Sequence, residues 1–86
     1  MIYMSYKLVR ITWEDTIEHP SGWYEARDID KLEDVPVVHS YGLILKESKD
    51  SITLVADFMP LSKDFGRGTT IPRGMIKDMT HISTVE

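Results

Sequence analysis

The 86-residue sequence contains no cysteine. Disulfide bridges, thiolate nucleophiles and cysteine-ligated zinc are therefore excluded. The sequence also lacks any apolar run near the roughly 20 residues that a membrane helix needs. Its first residues, MIYMSYKLVR, lack the apolar segment of a signal peptide. These absences predict a soluble, cytoplasmic protein.

A basic excess is also missing, because the net charge is −4. Residues 1–36 carry four cationic side chains against eight acidic ones, whereas residues 37–86 carry six of each. Most nucleic-acid-binding proteins have a surplus of lysine and arginine. Any such binding is therefore expected to use a local patch in the second half.

The length predicts one domain covering residues 1–86. A chain this short buries only roughly 60–65 % of the surface that its unfolded form exposes. It therefore needs an efficient core, or it gains burial by forming an oligomer.

Two stretches show the period-2 pattern of β-strands. Over Tyr6–Glu14, apolar Val9, Ile11 and Trp13 alternate with polar residues. Over Val37–Met59, a hairpin is predicted with strands Val37–Glu47 and Ile52–Met59 around the turn SKDS. Gly42 inside the first of these strands predicts a bulge or sharp bend.

Between these stretches, residues 14–36 form a long acidic connection with eight acidic side chains. Loops of this length inside a compact domain are uncommon and often functional. The segment EARDIDKLED is compatible with a short helix, and Trp23 and Tyr24 are expected to fold back on the sheet as a lid.

The last third predicts a loop PLSKDFGRGTT, a short strand TTIP and a final strand MIKDMTHISTV. In IPRGMI, Pro72 has no amide hydrogen and must lie at a strand end or an edge. Gly74 lets the backbone reverse tightly, so IPRGMI is predicted to be two strands joined by one tight turn. After Gly74, the apolar residues are spaced by three, as in a helix, whereas the threonines of the same segment favour a strand. One turn followed by a bulged strand accommodates both patterns.

This order of elements resembles the small, strongly bent, five-stranded SH3-like barrels, including the Sm-like (LSm and Hfq-type) proteins. ITWED is similar to their first strand, GLILKESKDSITL to the Sm1 motif and IPRGMI to the Sm2 motif. WED and SGW also resemble an uncharacterised Sm-like branch of phage-like origin. The resemblance implies an all-β barrel, a homo-oligomeric ring, and binding of RNA or single-stranded DNA.

The sequence departs from the Sm pattern at several points. The asparagine that contacts bases in Sm proteins has no counterpart in KESKDSI, where Lys49 and Asp50 occupy the turn. Pro72 separates the isoleucine from the arginine of the second motif. The connection after the first strand is longer, and the N-terminal helix is reduced to MIYMS.

Four cations are the candidate nucleic-acid-binding residues. In an Sm-like barrel, Lys49 at the hairpin tip and Arg73 in the tight turn would lie together near the pore of a ring. Lys63 and Arg67 lie in SKDFGRG, where flexible glycines and Phe65 suit a single strand. The alternatives are a solvated turn for the first pair and an ordinary surface loop for the second.

No constellation in the sequence argues for catalysis, a metal or a cofactor, so none is predicted. His19, His39 and His81 lack the spacing of a helical metal site. Neighbouring His39 and Ser40 point to opposite faces of a strand and do not form a catalytic pair. Trp13 is predicted to belong to the core.

The function predicted first is a ring-forming Sm-like protein that binds RNA or single-stranded DNA. Subunit contacts are expected at Phe58–Met59 or Thr69–Ile71. The alternative is an SH3-like protein-interaction module, such as a phage accessory factor that docks on a host or virion protein. The acidic connection favours this alternative, because it could engage a basic protein surface or mimic nucleic-acid charge.

Overall fold

Five antiparallel strands form a single sheet in the computed structural model, which describes residues 5–19, 22–32 and 34–85. The strands are β1 (Tyr6–Glu14), β2 (Val37–Glu47), β3 (Ser51–Met59), β4 (Asp64–Pro72) and β5 (Ile76–Val85). Their order across the sheet is β4-β3-β2-β1-β5. The all-β prediction with five strands is confirmed. However, β4 and β5 do not pair with each other, so the sheet is bent without being closed into a barrel.

The core comes from the inward face of β1, β3 and β4. Its fully buried side chains are Val9, Ile11, Ile52, Leu54 and Ile71. The predicted alternation on β1 places Val9 and Ile11 in this core, and Trp13 packs against it from the same strand. Burying these side chains is the main favourable contribution to folding, at about 1.5–3 kcal/mol for each large one.

Gly42 marks the bend that the sequence predicts. The first half of β2 pairs with β1, from Glu14↔Val37 to Leu8↔Leu43. Pairing with β3 begins only at Leu43↔Val55 and continues toward the hairpin turn. The strand therefore passes from one neighbour to the other at Gly42, where the backbone of β3 lies too close for any side chain.

β4 is longer than the sequence predicts. The predicted loop over residues 60–70 is wrong from Asp64 onward, because Phe65, Gly66 and Gly68 pair with β3. Glycine weakens local strand propensity, so pairing between residues distant in sequence decides the conformation here. Arg67, between the two glycines, has a positive φ of 53° within this strand.

The stretch IPRGMI consists of two strand ends and one tight turn, as predicted. Pro72 ends β4, and a 3₁₀ turn over Arg73–Met75 leads into β5. Gly74 does not adopt a left-handed conformation and has open space around it, so the turn does not depend on its freedom. Two register shifts against β1 confirm that the last strand is bulged.

The acidic connection forms an arm that stands away from the sheet. A hydrogen bond from the Asp15 amide to the Pro36 carbonyl (3.0 Å) closes its root, and it contains a 3₁₀ helix over Ala26–Lys31. The expected lid is wrong, because Trp23 is fully exposed. The radius of gyration is 17.6 Å and the longest extent 65 Å, whereas a compact chain of this length has a radius near ~12 Å. The carboxylates of the arm favour solvent over an apolar sheet face.

Candidate nucleic-acid interface

Arg73 ties the turn before β5 to the tip of the β2–β3 hairpin. Its amide donates to the Asp50 carbonyl (2.8 Å), and its Nε donates to the Ser48 carbonyl (2.6 Å). One terminal nitrogen also lies 3.6 Å from a carboxylate oxygen of Glu47. The guanidinium thus helps to fix the position of the hairpin tip. Its charge is partly offset by the carboxylate of Glu47 in the same chain.

The hairpin tip is also ordered by the Ser48 hydroxyl. Its oxygen accepts hydrogen bonds from the amides of Asp50 (3.2 Å) and Ser51 (3.0 Å). Serine commonly stabilises turns by such bonds to the amides that follow it. Lys49 is exposed at the crest, with no hydrogen bond or ion pair to any residue that the structure describes. The turn that carries Arg73 thus lies against the hairpin tip that carries Lys49.

Lys63 and Arg67 lie elsewhere and do not join this pair. The pairing of β3 with β4 runs from Ser51↔Pro72 to Met59↔Asp64. Arg73 directly follows the first of these pairs, and Lys63 directly precedes Asp64 of the last. A ladder of nine residues spans about 30 Å if extended. The ammonium of Lys63 lies 5.8 Å from the centre of the Phe58 ring, a cation–π arrangement.

The Arg67 guanidinium is bound by the Asp57 carboxylate on β3. Its Nε and a terminal nitrogen donate to the two carboxylate oxygens at 2.6 and 2.9 Å. These hydrogen bonds lower the pKa of Asp57 below its ordinary value, and the same pairing raises the pKa of Arg67. A bidentate carboxylate occupies the fork that would otherwise grip a phosphate. The fork of Arg67 is thus already occupied, although its side chain is exposed.

The acidic arm begins at the same end of the sheet as the Arg73 turn. Trp13 pairs with Ile76, the residue directly after that turn, and Glu14 forms an ion pair with Lys77 at 3.3 Å. Negative charge therefore enters the surroundings of the Lys49–Arg73 pair. Sequence reasoning did not predict this proximity, because it depends on the pairing of β1 with β5.

An aromatic cluster joins strands that are not neighbours in the sheet. Phe58 and Phe65 stack with ring centres 5.0 Å apart, and Tyr6 meets the edge of Phe65 at 5.5 Å. The cluster connects the start of β1 to the far end of β3 and β4, which curls the sheet. The sequence contained no signal for it beyond the phenylalanine noted in SKDFGRG.

A shallow depression lined in part by two lysines lies between the start of β1 and the end of β2. Tyr6, Ile44 and Leu45 contribute its apolar lining, and Lys7 and Lys46 contribute two ammonium groups. Neither lysine's ammonium group forms a hydrogen bond or ion pair with another described residue. The sequence prediction missed these two cations, which are 39 positions apart in the chain and reach the same surface through strand pairing.

The remaining polar groups have structural partners. His39 shares a hydrogen bond with the Thr12 hydroxyl (2.9 Å), and the indole of Trp13 donates to the Ser40 hydroxyl (2.9 Å). His39 and Ser40 therefore face opposite sides, as predicted. Across residues 5–19, 22–32 and 34–85, no three metal-ligating side chains converge. In the same residues, no helix has the length and hydrophobicity that crossing a membrane requires.

Comparisons with family models, with curated proteins and with solved structures gave no significant match.

Proposed function

We propose that the protein is an Sm-like, ring-forming protein that binds single-stranded RNA or DNA at a rim formed by the Lys49–Arg73 pair. The observation that carries the proposal is the bond between Arg73 and the hairpin tip. It fixes the backbone on both sides of Lys49, whose ammonium has no partner among the described residues. Repeated around a ring, one such cation per subunit becomes a multivalent site.

Support for self-assembly comes from the two outermost strands. In the order β4-β3-β2-β1-β5, the outer edges of β4 and β5 have no strand partner among the described residues. Open edges are a liability that pairing between subunits removes. Pairing β4 of one copy with β5 of the next is a head-to-tail contact, which closes into a ring when the rotation permits. The resemblance to Sm-like proteins implies this same contact.

The expected contact residues fit this arrangement in part. Thr69 and Thr70 on β4 are exposed and available to a neighbour, and Met59 is exposed at the end of β3. Ile71 belongs to the core of its own chain. Its contribution to a subunit contact would therefore come from the backbone alone.

Fluorescence anisotropy with labelled single-stranded RNA at low salt tests the proposal. Lys49→Ala should weaken binding and reduce its salt dependence, since each phosphate contact contributes to the slope. Lys7→Ala, a matched lysine deletion away from the rim, should leave affinity unchanged, with the assembly mass of each variant checked by sedimentation. Absence of binding at tens of micromolar protein, or binding indifferent to Lys49→Ala, would refute the assignment.

A second candidate function is an SH3-like protein-interaction module. The observation that favours it is the arm, which exposes Trp23 fully and carries a net charge of −5 over residues 15–36. Its binding surface would be the arm and not the rim. Failure of RNA binding together with capture of a purified basic protein through Trp23 would favour this function.

A further inference from the structure

We propose that the acidic arm of one copy docks into the Lys7–Lys46 depression of a second copy. This inference goes beyond the proposed function, because it requires neither nucleic acid nor pairing of β4 with β5. It assigns a partner surface to the arm and a role to two lysines outside the rim.

The arm has the composition of a docking segment. Over residues 15–36 it carries seven acidic and two cationic side chains, and the remainder of the chain has a net charge of +1. Trp23, Ile29 and Val35 are exposed on it. Exposed aromatic and aliphatic side chains on an extended segment mark an interaction surface.

The depression offers the complementary chemistry. Its apolar lining includes Leu45, which is exposed, and Lys7 and Lys46 also line it, with no partner for either ammonium group among the described residues. Glu47, the one acid among the described residues that line it, lies 3.6 Å from the Arg73 guanidinium. A partly apolar surface that includes two lysines suits a segment in which apolar and acidic residues are interspersed, as they are in WYEARDIDKLED.

The position of the arm favours docking between copies. The arm begins after Glu14, at one end of β1, and the depression lies around Ser5–Lys7 at the other end. A strand of nine residues separates the two by about 30 Å. Trp23 on the arm is fully exposed, so this part of the arm does not rest on its own sheet. A second copy can therefore offer its depression without any reversal of the arm.

The full chain contains its own reporter. Trp23 is fully exposed, whereas Trp13 is partly buried and hydrogen-bonded to Ser40. On raising the protein concentration, emission should shift to shorter wavelength and iodide quenching should fall. Trp23→Phe should remove this concentration dependence while sedimentation still reports association, because phenylalanine keeps the apolar contact.

Charge reversal tests the assigned surface. The Lys7→Glu/Lys46→Glu variant should weaken the association seen through Trp23 by about tenfold or more, because like charges at an interface are costly. Adding Asp30→Lys/Asp34→Lys to the arm should restore it. Both aspartates are exposed and have no ion-pair partner among the described residues. Lys49→Glu is the matched control and should leave Trp23 protection unchanged.

Three results would overturn the proposal. Trp23 could be quenched by iodide as readily in the assembly as in the diluted chain, or its protection from quenching could be unaffected by Lys7→Glu/Lys46→Glu. The third is that Trp23 becomes protected only when a basic protein is added. Each leaves the proposed function untouched if RNA still binds through Lys49. Conversely, loss of RNA binding alone leaves arm docking standing, because neither Lys49 nor Arg73 lines the depression.

Discussion

At Gly42 and Val55, the backbones of β2 and β3 are in direct contact. The carbonyl oxygen of Val55 lies 2.8 Å from the point that a β-carbon on residue 42 would occupy. The β-carbon of Leu54 lies 3.3 Å from the same point. Real β-carbons do not approach a carbonyl oxygen this closely. Any side chain at position 42 must therefore push the two strands apart where the sheet bends.

Gly42→Ala is expected to lower the free energy of unfolding by about 1–3 kcal/mol, the usual cost of overpacking a tight site, and Gly42→Val by more. Chemical denaturation of the purified variants measures this. Gly74→Ala is the matched control, because nothing lies within 4 Å of its β-carbon position and its φ is not left-handed. Equal stability of the Gly42 and Gly74 variants would remove the steric explanation of the bend.

Arg73 is expected to stabilise the hairpin tip through the direction of its hydrogen bond and not through its charge alone. Arg73→Lys keeps the charge but cannot place an Nε donor on the Ser48 carbonyl. It should therefore lose nearly as much stability as Arg73→Ala, about 1 kcal/mol. Lys49→Ala, one residue from the bonded carbonyl, should cost nothing in the same denaturation experiment. Full stability of Arg73→Lys would show that charge alone suffices.

The Asp57–Arg67 pair predicts a pH effect of defined sign. Because hydrogen bonds from Arg67 lower the pKa of Asp57 from its ordinary 3.8, the pairing stabilises the folded chain above that pH. This contribution is lost as the pH falls through the lowered value. Arg67→Gln should bring the pKa of Asp57 back up, which NMR titration of the side-chain carboxyl carbon measures.

Strain at Arg67 predicts a difference between two further variants. Its φ of 53° is left-handed, a conformation that costs non-glycine residues about 1–2 kcal/mol. Arg67→Gly and Arg67→Ala both remove the ion pair, but only glycine relieves the strain. Thermal unfolding should therefore show Arg67→Gly as the more stable of the two. The reverse order would indicate that the residue does not hold this conformation in solution.

Assembly through the edge of β5 predicts a mutation that yields monomers. Met79 and Ile82 are exposed on this strand, and lysine on an edge discourages pairing with another chain. In the Lys7→Glu/Lys46→Glu background, which removes arm docking, Met79→Lys/Ile82→Lys should reduce the sedimenting mass to that of one chain, with little loss of secondary structure by circular dichroism. Leu61→Lys replaces an even more exposed apolar residue, in the β3–β4 turn, and should leave the mass unchanged.

Much of the fold could be predicted because its signals are local. The alternation around Val9 and Ile11 identifies β1, since successive side chains of a strand point to opposite faces. Gly42 inside an apolar run indicated the bend, and Pro72, which lacks an amide hydrogen, indicated a strand end. The proximity of Lys49 and Arg73 was predicted from the resemblance to Sm-like proteins.

By itself, then, the sequence determined the strand content, the bend and the tight turn, because alternation, glycine and proline act on their own backbone. Only the tertiary structure decided the rest. β4 begins at Asp64 because its glycines pair with β3, and Arg67 is engaged because Asp57 lies across that ladder. Among the described residues, the ion pairs of the arm's charged side chains lie within the arm itself and do not tie it to the sheet. These features depend on residues far apart in the chain, whose meeting is set by packing and pairing and leaves no local pattern.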